Sequence, residues 1–322
     1  MRKLIVLSAI SVFVIAAAFL YSCNNNKDAE ANSAEDSLKA VVEHGRYLAN
    51  NVAACIHCHS TRDFNKYSGP VIPGTEGGGG QAFSNKELDV IPGVFYAKNI
   101  TPDPETGLGS WTDDEILRAM TKGISKNGDT LFPLMPYASF NMMAKEDLLS
   151  IVAYLKTLKP IKNAVPARQS MIPMSMAYPV EAVQASIDGN VRPPKTDVVK
   201  YGGYLVTVAD CAGCHTPFEK GQPDFARMFG GGNTFHFDQF VVTSANISPD
   251  SATGIRSWTE EMFVSKFKMY RDHKSYDYDP GKLNTVMPTS DFAGMTDEDL
   301  KAIYAYLRTV PPISHKVAKY PE

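Results

Sequence analysis

Cysteine is scarce in this chain of 322 residues: there are five. Four stand in two pentapeptides, Cys55-Ile56-His57-Cys58-His59 and Cys211-Ala212-Gly213-Cys214-His215, and the fifth, Cys23, closes an apolar N-terminal run. No further cysteine is left to ligate a metal in the body of the chain. Charge of one sign is also lacking. The 32 Lys and Arg against 35 Asp and Glu leave −3, too little for strong steering of a charged partner, and nothing points to nucleic acid. The glycine run Gly77–Gly80 lacks the following lysine and the strand-to-helix setting of a phosphate loop, which excludes nucleotide binding.

Each pentapeptide is a C-x-x-C-H, the attachment signature of c-type haem. The two thiols add across the porphyrin vinyl groups, and the adjacent histidine supplies the proximal iron ligand. A zinc site would have to join Cys and His from two distant motifs, and a thioredoxin-like pair does not call for the His. The motifs therefore predict two covalent haem c groups, held by Cys55 and Cys58 and by Cys211 and Cys214, with His59 and His215 on the irons. One-electron chemistry comes with the cofactor.

The first 22 residues carry Arg2 and Lys3 and then an apolar run from Leu4 to Leu20, which reads as a secretory signal. Leu20-Tyr21-Ser22-Cys23 resembles a bacterial lipobox, with Cys23 as the lipidated residue. The alternative is an uncleaved membrane anchor. Residues 23–40 then form a lipidated N-terminus and a polar tether. The expected location is the bacterial cell envelope, facing the periplasm, as a membrane-anchored lipoprotein.

The remainder of the chain is an internal repeat. Asn99-Ile100-Thr101-Pro102-Asp103 is matched by Asn246-Ile247-Ser248-Pro249-Asp250, Trp111-Thr112 by Trp258-Thr259, Met135-Pro136 by Met287-Pro288, and Ala153-Tyr154-Leu155 by Ala305-Tyr306-Leu307. The offset is 147 from Asn99 to Thr112 and 152 from Met135 to Leu155. The expected domains are 41–160 and 197–322, joined by a proline-bearing linker over 161–196. Helices are predicted over 38–49 and 197–209, from a capping box at Thr112 to about Lys122, from Thr259, over Asp147–Leu158, and over Asp297–Thr309 behind a Thr296 cap. The paired Asn99 and Asn246 are expected to fix their turns. Tyr47, Tyr204, Tyr154 and Tyr306 are expected around the haem edges. Trp111 and Trp258 serve either a haem propionate or the core.

A sixth iron ligand is Met or His. No remaining histidine recurs in both copies, whereas Met135 and Met287 do, each before a proline and ahead of the last helix. Met135 and Met287 are therefore the expected distal ligands. Met142, Met143 and Met295 are nearby competitors, and His273 is the alternative for the second haem. A His/Met pair fills the coordination sphere, which favours electron transfer over catalysis at iron.

With the haem motif near the start of each copy and Met-Pro near its end, the chain resembles the class I c-type cytochromes. The run from Asn99 through Thr106-Gly107-Leu108-Gly109-Ser110-Trp111-Thr112-Asp113-Asp114-Glu115 resembles the cytochrome c subunits of membrane-bound bacterial alcohol and gluconate dehydrogenases. The resemblance covers nearly all of 41–160 and 197–310. It implies a mainly α fold of two tandem class I cytochrome c domains, each wrapping one covalent haem, with long loops. It also implies electron relay from a dehydrogenase toward quinone or a terminal oxidase, with a dehydrogenase subunit, a quinol-oxidising complex or a terminal oxidase as the expected redox partner. Those subunits commonly carry three haems and this chain has two motifs; the second copy departs further at Arg256-Ser257 and in an insert over Tyr270–Asp279. The competing class is a di-haem enzyme such as a thiosulfate dehydrogenase or peroxidase, which would need an open or Cys-ligated iron.

Overall fold

A computed structural model describes residues 35–179, 183 and 186–321; Cys23 and the apolar run before it lie outside them. The chain divides into residues 1–43, whose described part is helical, and a unit formed by His44–Glu322, which carries both Cys-x-x-Cys-His motifs.

The frame of this second unit is mainly helical, and the helices start where the caps predict. Thr112 accepts from the Glu115 amide while the Glu115 carboxylate accepts from the Thr112 amide, which closes a capping box ahead of Asp113–Lys122. Thr259 caps Glu260–Lys268, and Thr296 caps Asp297–Leu307 through the Asp299 amide. The helices Lys145–Leu155 and Asp297–Leu307 end earlier than their apolar periodicity suggests. Pro160 and Pro311 disfavour helical backbone in the residues before them, and turns intervene.

Two helix crossings organise the unit. The helical segment carrying Gly45 lies so close to Lys145–Leu155 that a Cβ on Gly45 would sit 1.8 Å from the Ser150 carbonyl oxygen. In the second half, Gly202 on Val198–Val208 meets the Ala302 carbonyl of Asp297–Leu307 at the same 1.8 Å. Around these crossings Leu48, Val52, Leu148 and Ile151 of the first half share one apolar core with Leu205, Val208, Leu300 and Ile303 of the second.

The halves differ in detail. Tyr47 stands one residue further from its following cysteine than Tyr204 does. A π-helical turn at Leu48–Val52 takes up the extra residue. Small antiparallel sheets fill the loops: Ala82–Ser84 pairs with Gly93–Tyr96, which pairs with Gln169–Ser170, and Thr234–His236 pairs with Val241–Thr243. Asn99 and Asn246 fix their turns, as expected. Each side-chain oxygen accepts from the hydroxyl two residues on, and each amide donates to the chain beyond the last helix, at Ile161 and Ile313 respectively.

Candidate haem-attachment site

The first site is built on one helical turn, Cys55–Cys58, entered through Ala54 in the left-handed region (φ 49°, ψ 38°). His59 caps that turn. Its Nδ1 donates to the Lys98 carbonyl at 2.6 Å, and its own carbonyl accepts from the Gly79 amide at 2.7 Å. The second site repeats this arrangement. Asp210 enters the Cys211–His215 helix at φ 49°, ψ 41°; His215 Nδ1 donates to the Ala245 carbonyl at 2.6 Å; and the His215 carbonyl accepts from Gly231 at 2.7 Å. Gly79 and Gly231 have φ of +74° and +67°, and any Cβ there would collide with the backbone next to the carbonyl that anchors the imidazole.

A carbonyl on Nδ1 fixes the tautomer and leaves the Nε2 lone pair free, which is the form a metal requires. Burial pushes both imidazoles down, so they stay neutral. The thiols are free of disulfides. Burial pushes Cys55, Cys211 and Cys214 up to about 12, and Cys58 upward as well. Cys58 and Cys214 nevertheless retain solvent access. A thiol that is exposed yet ringed closely enough to be desolvated lies on a concave wall. Two thiols on one helical turn of such a wall, followed by an imidazole with Nε2 free, fit a covalent haem.

Met135 and Met287 are presented by the same backbone device. Pro136 (φ −79°, ψ 53°) and Pro288 (φ −73°, ψ 59°) close inverse γ-turns, in which the residue after each proline donates to the methionine carbonyl at 2.7 Å. Both side chains are half-buried. The competitors are placed differently: Met143 and Met295 are sealed in the core at 0% and 2% exposure, and Met142 is 53% exposed. His273 is exposed on a 3-10 turn against Tyr276, with ring centroids 4.9 Å apart.

Contacts between the halves are not legible in the sequence. Tyr47 donates to Asp299 at 2.6 Å and Tyr204 donates to Asp147 at 2.5 Å, so each half lends a tyrosine to a fully buried carboxylate of the other. Of the four tyrosines expected around the haem edges, Tyr47 and Tyr204 commit their hydroxyls to this exchange, and Tyr154 pairs with Asn50. Ser68, which lies beyond the first motif, donates to the Met287 carbonyl at 2.7 Å and accepts from the Thr289 amide. The Tyr270–Asp279 insert clasps the first half: Tyr67 stacks on Tyr270 at 4.8 Å and on Tyr278 at 5.8 Å. His57 Nδ1 lies 2.7 Å from Asp291, and Arg62 reaches His57 Nε2. The recurrence of Asp147 and Asp299 at the offset of 152 is a signal that their acidic helix starts conceal.

A carbonyl-anchored His closing a Cys-x-x-Cys turn in a mainly helical frame is the arrangement by which c-type cytochromes hold their haem. In agreement, the cytochrome c family model matches residues 199–311. The chain carries a cytochrome c domain, and its cofactor class is covalently bound haem c.

The likeness extends over most of the length. The cytochrome c subunit of the quinone-dependent alcohol dehydrogenase of Gluconacetobacter polyoxogenes is 32% identical over 300 residues, which is 88% of this chain and 59% of that protein. The cytochrome c subunit of gluconate 2-dehydrogenase from Pantoea cypripedii is 29% identical over 285 residues, covering 84% and 60% respectively. A diheme c-type cytochrome of Cereibacter sphaeroides is 28% identical over 268 residues, covering 80% and 82%. The chain therefore spans about three fifths of the length of the two dehydrogenase subunits. Among the described residues no helix is long and apolar enough to cross a membrane.

Proposed function

We propose that the protein is an exported electron carrier made of two tandem cytochrome c domains, 41–160 and 197–322 with 161–196 between them, and that it holds two covalent haems. It relays single electrons from a dehydrogenase or quinol-oxidising partner to a respiratory acceptor. The observation that carries this is the twofold recurrence of the anchored Cys-x-x-Cys-His turn, with the Cys58 thiol near enough to help raise the pKa of Cys214. Dehydrogenase partnership is supported by the names of the similar subunits. Attachment to the membrane through lipid on Cys23 rests on the lipobox-like Leu20-Tyr21-Ser22-Cys23.

When bound, haem supplies one-electron chemistry at its iron. The chain's own work is to hold and tune it. Cys55 and Cys58, and Cys211 and Cys214, would hold the haems through thioether links, while the Lys98 and Ala245 carbonyls aim the His59 and His215 imidazoles. Met135 and Met287 would supply sulfur ligands to the irons, and the Met287 loop is braced by Ser68.

Intact mass of the matured protein should exceed that of the polypeptide by two haems and survive acid acetone, and the variant lacking Cys211 and Cys214 should retain one. A colourless product, or pigment lost to acid acetone, would overturn the proposal. The purified protein alone should not turn over thiosulfate or peroxide; sustained turnover would favour the enzyme instead.

Met135→Ala and Met287→Ala should each remove about half of the near-infrared sulfur-to-iron charge-transfer absorption of the oxidised protein. Full intensity in both variants would return the search to other ligands.

A further inference from the structure

The two attachment sites are alike in backbone and unlike in charge. At the residue that enters each helix, the first copy has Ala54 and the second has Asp210. Three residues past the proximal histidine, the first copy has Arg62 and the second has Phe218. At the Cys58 thiol Arg62 lowers the pKa and opposes Asp291 and, more weakly, Asp210, which both raise it. Asp210 raises the pKa of Cys211 and of Cys214, and no cation offsets it there among the described residues. The Asp210 Oδ1 accepts from the Ser139 hydroxyl at 2.7 Å, and its Oδ2 lies over Gly213, where a Cβ would come within 2.2 Å. The carboxylate is thus pressed onto the haem-binding turn, its neighbours being Ser139 from the short helix Tyr137–Phe140, Cys211 and Cys214 on its own helix, and Cys58 of the first half beside Arg62, His57 and Asp291.

A ferric haem is one charge more positive than a ferrous one. An unbalanced carboxylate in a poorly solvated wall therefore stabilises the oxidised state of the group next to it. A balanced pair of opposite charges does so far less. This inference rests on the two-haem function proposed above, and it adds a direction to it. We propose that Asp210 makes the haem attached at Cys211 and Cys214 the lower-potential of the two, so that an electron entering there passes on to the haem attached at Cys55 and Cys58. The step is one electron, lost by one iron and gained by the other, with no proton or co-reactant required. The external donor is a reduced dehydrogenase cofactor or quinol.

The carboxyl itself is pushed up to about 6 by burial, against the Ser139 hydrogen bond. It is charged above that pH and neutral below it, so its hold on the potential is present at pH 8 and weakens toward pH 5.

Spectroelectrochemical titration of the full, matured chain tests the assignment. In Asp210→Asn at pH 8 the lower of the two potentials should rise, reducing the internal equilibrium constant between the haems by about tenfold, the scale of one charge roughly 12 Å away in a medium of effective dielectric about 20. The wild-type gap should narrow on going from pH 8 to pH 5, and the variant gap should stay constant. Ala54→Asp, which places a carboxylate at the matching position of the first copy, should lower the upper potential instead. Two haems by mass with neither potential moved in Asp210→Asn, or with the upper one moved, would overturn the assignment. A single haem by mass would instead overturn the two-haem function beneath it.

Discussion

Gly45→Ala and Gly202→Ala should each lower the melting temperature by roughly 5–10 °C, corresponding to a loss of about 3 kcal/mol from overpacking. Replacing a glycine inside a helix by alanine ordinarily gains about 1 kcal/mol of helix propensity. Here the new methyl would lie 1.8 Å from the Ser150 carbonyl oxygen in the first half, or the Ala302 carbonyl oxygen in the second. The obstacle is backbone, so no side-chain rotamer relieves it, and the two helices must separate. That separation opens the apolar seam of Leu48, Leu148 and Ile151, or of Leu205, Leu300 and Ile303. The overpacking cost therefore outweighs the propensity gain. Gly189→Ala is the control, because nothing lies within 4 Å of its added Cβ, and it should leave the melting curve in place. Thermal unfolding by far-ultraviolet circular dichroism distinguishes these outcomes, and unchanged melting of both crossing variants would refute the close packing.

Asp147→Ala and Asp299→Ala should each cost about 2–3 kcal/mol, because the tyrosine hydroxyls lose a charged acceptor inside the fold, whereas Arg192, His44 and Lys195 are partly exposed and can turn to water. Asp147 accepts from Tyr204 at 2.5 Å and Arg192 at 2.7 Å, and His44 Nε2 lies 2.6 Å from it. Asp299 accepts from Tyr47 at 2.6 Å, Tyr201 at 3.2 Å and Lys195 at 3.1 Å. Tyr47→Phe and Tyr204→Phe remove a hydroxyl from carboxylates that keep other donors, so each should cost only about 1–1.5 kcal/mol. A double-mutant cycle of Tyr47→Phe with Asp299→Ala, read by chemical denaturation, should give a clear coupling energy although the two residues belong to different halves. Additive costs would mean that the hydroxyl and the carboxylate do not interact.

The tyrosines also predict a pH profile. Burial, reinforced by Asp299 and Asp147, raises both phenols above the ordinary value of 10.0. A group whose acid form is favoured by folding contributes stability that is complete below its unfolded value and is lost as pH rises beyond it. The alkaline loss of stability should therefore set in above pH 10 and be smaller in Tyr47→Phe/Tyr204→Phe.

Features carried by neighbouring residues are legible without the fold. The Cys-x-x-Cys-His turns, the Thr112, Thr259 and Thr296 caps and the Asn99 and Asn246 turns all depend on a few positions in a row, so residue type and spacing suffice. Asp147 and Asp299 are visible there only as acids at helix starts, since one residue's neighbours in sequence do not reveal a tyrosine in the other half. In the sequence the Tyr270–Asp279 insert is a departure from the repeat. Its purpose emerges only with Tyr67 stacked against Tyr270 and Tyr278.

Sequence alone determined the two Cys-x-x-Cys-His motifs, the repeat and the helix starts, because such motifs and helix caps act over one or two turns of chain. Tertiary structure alone decided how the halves grip each other, that Ser68 of one braces the Met287 loop of the other, and that Asp210 is pressed onto the Cys211–His215 turn beside Ser139. Those contacts join residues far apart in the chain, and their strength comes from burial, which exists only once the helices have packed.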